Sequence, residues 1–228
     1  MIQRELSDAL GTIAWYEDIL EKAKGYPAWV RERSELGERF QNRTFATLDS
    51  LIDPKALRAC QNFAQNYASI KKNDKNGIVL SGEVGIGKTH LAAAIANELI
   101  DKHTVAVCFG SIVDMLDKIR CEIALHKDTT KYNMKKMPVL IIDDLGKEKR
   151  SEWTDQIMFE IINHRYEQRL PVIITTNLEP QELLQRYDKS ISSRLIEMCK
   201  FVQMTGTDRR GTLTGSVKPL QMRMQNEQ

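Results

Sequence analysis

The stretch Leu80–Ala92, "LSGEVGIGKTHLA", decides how the chain is read. It joins an apolar run, "GIVLS" at 77–81, to an Ala- and Leu-rich run, "KTHLAAAIANELIDK" at 88–102. The first has the composition of a buried strand and the second the spacing of a helix. Between them, Gly82–Thr89 fits G-x-x-x-x-G-K-[ST]. Gly82, Gly85 and Gly87 admit backbone angles closed to other residues, so the N–H groups of the loop, with Glu83, Val84 and Ile86, can turn inward on an anion. Lys88 offers a point charge for β- and γ-phosphates, and Thr89 a hydroxyl for Mg²⁺. The helix that follows adds the positive end of its dipole, and His90 on its first turn completes the nucleotide-binding stretch with no catalytic part. The ligand implied is a nucleoside triphosphate with Mg²⁺.

Outward from this loop, strands and helices alternate. "TVAVCFG" (104–110), "PVLIID" (138–143), "PVIITT" (171–176) and "CKFVQM" (199–204) read as further strands. "SIVDMLDKIRCEIALH" (111–126), "SEWTDQIMFEIINHRYEQ" (151–168) and "KSISSRLIEM" (189–198) read as helices. Near-continuous apolar strands alternating with helices predict a parallel five-stranded sheet covered on both faces. Upstream, Asp53 before Pro54 reads as a helix cap, followed by an apolar face of Leu57, Cys60, Ala64 and Tyr67. "KYNMKKM" (131–137) reads as a basic loop between helix and strand.

Residues 1–38 form a charged, helix-rich arm in which Leu6, Leu10, Ile13, Ile19 and Leu20 recur at roughly helical spacing until Gly25 and Pro27. The arm either packs on the main domain or docks on a partner. Residues 39–210 make the α/β domain, and 211–228 carry little pattern and are expected to fray.

A chain of 228 residues, 42% hydrophobic and 28% charged, suits one such domain with a short extension. A net charge of +2 is too weak to imply nucleic-acid binding by itself, so any basic patch must be local. Cys60, Cys108, Cys121 and Cys199 lie far apart with no C-x-x-C pair, as expected of buried free thiols in a reducing compartment. No apolar run approaches the ~18 residues of a membrane span and the start carries no signal run, so the expected location is cytoplasmic.

"VLIIDDLG" ends an apolar strand in two carboxylates. Asp143 suits Mg²⁺ held through water, and Asp144 is placed to orient or deprotonate an attacking water. "VIITTNLEP" ends another strand in Thr175, Thr176 and Asn177, short polar residues able to reach that water.

These motifs in this order, with a later "SSRL", resemble the AAA+ ATPases, a RecA-like P-loop core. In detail they resemble the DnaC/DnaI-type loaders of the bacterial replicative helicase over roughly residues 38–210. "RFQNRTF" (39–45) is similar to the segment leading into that family's ATPase module, and "SSRLIEMCKFVQMTGTDRR" to its C-terminal block. The resemblance implies ATP and Mg²⁺ as cofactors and slow, partner-stimulated hydrolysis. It makes Asp144 the counterpart of the catalytic glutamate, Asn177 sensor 1, and Arg194 an arginine finger that reaches a neighbour's nucleotide. Arg209 or Arg210 would be the second sensor.

The resemblance also implies self-association through the ATP site, a DnaB-like helicase partner, and single-stranded DNA met by Phe109, Ser111, Lys118 and Arg120. Two departures stand out: little chain follows the last strand, which leaves no helical lid, and the arm is short and lacks cysteines for a zinc site. An IstB-type transposition helper shares the same core, although that type more often reads "DE" with a nearby aromatic where this chain has "DDLGKEK". A P-loop kinase of small molecules is a further alternative, against which no arginine-rich lid insertion is visible.

Overall fold

Val, Ile and Leu fill the strand positions because branched side chains pack well on a pleated, two-sided surface. In the computed structural model, which describes residues 30–49 and 51–208, β1 (Gly77–Ser81), β3 (Val139–Asp143) and β4 (Val172–Thr176) are buried at every position. β2 (Val107–Ser111) and β5 (Cys199–Gln203) form the edges. All neighbours pair in parallel in the order β2-β3-β4-β1-β5, so the five-stranded parallel sheet expected from the sequence is present.

Successive strand residues face opposite sides, and two cores follow from that alternation. Ile78, Leu80, Ile141 and Ile173 pack with α2 (Pro54–Gln65) and α4 (Lys88–His103). Val79, Leu140, Ile142 and Ile174 pack against α5 (Ile112–Ala124), α7 (Glu152–Glu167) and α9 (Lys189–Met198). Short α1 (Glu38–Gln41), α3 (Tyr67–Ile70) and α8 (Pro180–Arg186) complete the connections. Asp53 caps α2 as its position before proline suggests, with Oδ1 accepting from the Lys55 and Ala56 amides at 2.8 and 3.2 Å.

The basic stretch read as a loop is helical: α6 spans Thr129–Lys136. Thr130 bonds Glu122 of α5 through its amide (2.7 Å) and hydroxyl (2.8 Å), and Met134 is fully buried. At its end, the buried Arg165 of α7 donates to the carbonyls of Met134 (2.9 Å), Met137 (3.0 Å) and Pro171 (2.6 Å). Burial pulls this guanidinium down from its ordinary value, and the convergent carbonyl dipoles compensate the buried charge. Cys60, Cys108 and Cys199 are buried, whereas Cys121 is exposed on α5, unlike the expectation for all four.

Residues 30–37, read as part of the arm, pack on the domain. The Glu35 amide donates to Val107 O (3.0 Å), and the Val107 amide donates to Ser34 Oγ (3.1 Å), which covers the open edge of β2. The helical spacing at Leu6–Leu20, Arg209, Arg210 and the tail 211–228 lie outside the described residues. Among the described residues no helix is long and apolar enough to cross a membrane.

Candidate nucleotide-binding site

The carboxyl ends of β1, β3 and β4 point to one side of the sheet, where open α/β sheets bind ligands. The loop after β1 needs its glycines for space as well as for angle. Gly82 sits at φ +140°, and a Cβ there would lie 2.5 Å from Met204 O; Gly85 sits at φ +83°, with the Asp208 carboxylate against it. The chain after β5 therefore crosses directly over the phosphate loop. Lys88, at the start of α4, is buried and donates through Nζ to Gly82 O (2.7 Å) and Glu83 O (2.5 Å).

Hydroxyls from two elements converge on Asp143. Thr89 Oγ1 donates to Oδ1 at 2.9 Å, and Thr175 Oγ1 donates to the same oxygen at 2.5 Å. Burial pushes the Asp143 carboxyl above the ordinary carboxylate value; the two hydroxyls pull against this, and the neighbouring Asp144 charge adds to it. Thr175 also accepts the Asp144 amide at 2.9 Å. Asp144 holds φ +59°, a left-handed angle uncommon outside glycine. Its turn is tied to β4 by Leu145 N–H to Thr175 O (2.8 Å) and Thr176 Oγ1 to Leu145 O (2.7 Å). Lys147 Nζ lies 2.6 Å from Asp144 Oδ2, a solvent-exposed pair of small energetic weight.

A cavity of about 460 Å³ brings together Val84, Gly85, Gly87, Lys88, Thr89, His90, Asp143, Asp144 and Asn177. Gly82 and Ile86 are buried outside its wall, Ile86 in the core, and Glu83 is exposed. Arg39, Phe40, Arg43 and Lys147 also line it, and the sequence reading missed them. The available signal was the pair of arginines four residues apart in "RFQNR", here on and just after α1. His90 gains a structural part: its Nε2 lies 3.3 Å from Thr47 Oγ1 and 3.3 Å from Thr44 O, which ties residues 44–47 to α4.

Arg194 does not line this cavity. It lies on α9 with its guanidinium 5.3 Å from the Phe159 ring and 5.5 Å from the Tyr166 ring, and Nη1 donates to Ser190 O at 2.7 Å.

Of the candidate DNA contacts, Phe109, Ser111 and Lys118 line one groove, and Arg120 lies outside its wall. Phe109 is 6% exposed and packs on Phe40 at 4.8 Å between ring centroids, so it offers no platform for a base; the apolar β2 environment claims it. Ser111 caps α5, accepting the Asp114 amide at 3.1 Å. Lys118 is exposed, while Arg120 is paired with Asp117 (3.2 Å) and stacked 4.7 Å from the Trp153 ring. The groove of about 780 Å³ beside Ser111 and Lys118 also presents Glu35, Asp114 and Asp117, so its charge is mixed.

Residues 41–212 match the family described as IstB-like ATP binding protein. The phage-like element PBSX protein XkdC of Bacillus subtilis (strain 168) is 32% identical over 176 residues, covering 73% of this chain and 65% of that protein. The replicative helicase loader DnaI of the same organism is 30% identical over 186 residues, covering 73% and 58%. The chain thus spans 65% or less of the length of these relatives. Among solved structures, DnaI superposes with a TM-score of 0.64 at 26% identity, covering 75% of this chain and 96% of that one. The DnaC helicase loader gives 0.63 at 25%, covering 74% and 100%. A family match running from α1 through the last strand, on a sheet shared with DnaC and DnaI, means that this chain belongs to the IstB-like ATP-binding proteins, in the IstB/DnaC-like group of AAA+ P-loop proteins.

Proposed function

We propose that the chain is a replication ATPase that loads or remodels the replicative DNA helicase on single-stranded DNA, with its ATP state controlling assembly. The observation that carries the reading is the meeting of Lys88, Thr89, Asp143, Asp144 and Asn177 in one cavity while Arg194 lies elsewhere. Hydrolytic groups gathered in one chain with a candidate finger outside the site suit a reaction completed by a neighbouring copy.

Lys88 and the loop amides bind the β- and γ-phosphates. Thr89 and Asp143 fit Mg²⁺, since a hydroxyl and a carboxylate oxygen already converge at 2.9 Å and both are hard oxygen donors. When bound, that ion neutralises phosphate charge. Asp144 orients the attacking water and accepts its proton, and Asn177 holds the water from the β4 side. Arg194 stabilises charge on the neighbour's γ-phosphate. Arg39, Phe40 and Arg43 close the cavity on the side of α1.

Residues 39–210 form the ATPase domain in this reading, 1–38 the helicase-docking arm, anchored to that domain through residues 30–37, and the setting is cytoplasmic. The IstB-like family match keeps transposition-helper activity as the second reading. The deciding experiment measures ATPase rate and pull-down of a purified replicative helicase, with and without ATP. Stimulation by helicase or single-stranded DNA is expected. Stimulation by transposase alone would favour the second reading, and stimulation only by a small phosphoryl acceptor would overturn both.

A further inference from the structure

The acidic group that the sequence reading left unused is Glu148, four residues beyond Asp144. Its side chain is 3% exposed and sits at a junction of two parts of the fold. Oε2 accepts the Gly146 amide at 2.8 Å. Oε1 accepts from Arg186 Nε at 3.0 Å and from the Tyr187 hydroxyl at 2.7 Å. Arg186 Nη2 also donates to the Glu148 carbonyl. A carboxylate this buried is costly unless paired and fully bonded. Here each oxygen has a partner, so the arrangement is sharply defined.

The turn it grips is the one that aims Asp144. Both Asp144 and Gly146 hold positive φ, +59° and +102°. The left-handed angle at Asp144 has a local cost, so it persists only where surrounding contacts over-determine it. Thr175 and Thr176 supply contacts from β4. Glu148 supplies the one from the opposite end, through the Gly146 amide. Its other oxygen reaches Arg186 and Tyr187, at the end of α8. Asp188, next in the chain, caps α9 by accepting the Ile191 amide at 2.8 Å, and Ser192 Oγ donates back to Leu184 O at 2.6 Å. Arg194 stands on that same helix.

We infer that Glu148 is a positioning residue for ATP hydrolysis: it holds the Asp144–Gly146 turn in its working geometry and fastens that turn to the end of α8, from which the chain enters the helix that carries Arg194. The inference rests on the ATPase reading above. Glu148 touches no nucleotide in it, and acts through Asp144.

The test compares the full chain with Glu148→Gln and Tyr187→Phe. Glutamine keeps the volume but turns an N–H donor toward at least one of the donors that meet there. Phenylalanine removes a single hydroxyl and so guards against a variant that fails to fold. Nucleotide affinity is measured by calorimetry, kcat and KM by steady-state kinetics, and amide exchange by mass spectrometry across residues 144–148. Glu148→Gln should lose about tenfold or more in kcat with KM and nucleotide affinity within about twofold, and its turn should exchange faster. Tyr187→Phe should show the same split, smaller in size. A folded variant with wild-type kcat and unchanged exchange overturns the inference, as does an equal loss of affinity and turnover. A wild-type chain that binds ATP but never turns it over, with helicase and DNA present, sinks the ATPase reading instead, whatever the exchange data show.

Discussion

At the scale of single residues, Lys88 and Thr175 make contrasting predictions. Lys88→Ala removes the only cation in the loop Gly82–Thr89, so ATP binding should fall below detection in calorimetry; retained affinity would sink the site assignment. Thr175→Val keeps the shape of the fully buried side chain but strips Asp143 of one donor and leaves the partly buried Asp144 amide without its acceptor. That should cost about 1–3 kcal/mol in denaturant unfolding and lower turnover more than affinity. Lys88 was legible because its motif is local. Thr175 was noted at a strand end, but its grip on the Asp143 carboxylate and the Asp144 amide depends on β4 lying beside β3. Arg39 and Arg43 were opaque for a similar reason: their neighbours at the cavity come from distant stretches of chain.

At the scale of elements, the N-cap of α2 does more than its sequence signal says. Asp53 Oδ1 holds the first turn of the helix, while Oδ2 accepts the Thr205 amide at 3.0 Å and hydroxyl at 3.2 Å. The strap that crosses Gly82 and Gly85 is thereby pinned to α2. Burial pushes the Asp53 carboxyl up, but the bonds from Thr205, Ala56 and Lys55 outweigh it, and the net value lies below the ordinary 3.8. A depressed folded-state value means the stabilisation is present at neutral pH and is lost as pH falls through the acid carboxylate range. Asp53→Ala should therefore cost about 1–2 kcal/mol at pH 7, and the gap from wild type should narrow below pH ~4 in thermal melts. A gap that stays constant with pH would show that the charge is not what matters. The helix α6 is the converse case. Its sequence, TTKYNMKK, is mostly polar, and only Thr130 and Met134 turn inward, so its helicity rests on Glu122 and Arg165 from other elements.

At the scale of the whole molecule, the position of Arg194 outside its own cavity sets the expectation. Arg194→Ala should leave nucleotide affinity of the isolated chain unchanged and reduce turnover in the assembled state on the order of 10³-fold. Mixing it with Asp144→Asn protein should restore part of the rate, because each variant supplies what the other lacks. If the single variant is fully active and mixing changes nothing, the arginine does not act between copies. Phe159 and Tyr166 hold the guanidinium in the isolated chain, so assembly must compete with those ring contacts.

The sequence by itself determined the strand and helix alternation, the phosphate loop, and the paired carboxylates. Each depends on residues adjacent in the chain, whose spacing and backbone freedom carry the signal. Tertiary structure alone decided that Phe109 is core, that residues 30–37 cover the edge of β2, and that residue 208 folds onto Gly85. It also decided that Glu148 bridges the turn at Asp144 to the end of α8. Those outcomes depend on which surfaces meet after folding, and a buried carboxylate and an exposed one look alike until the partners that bury them are in place.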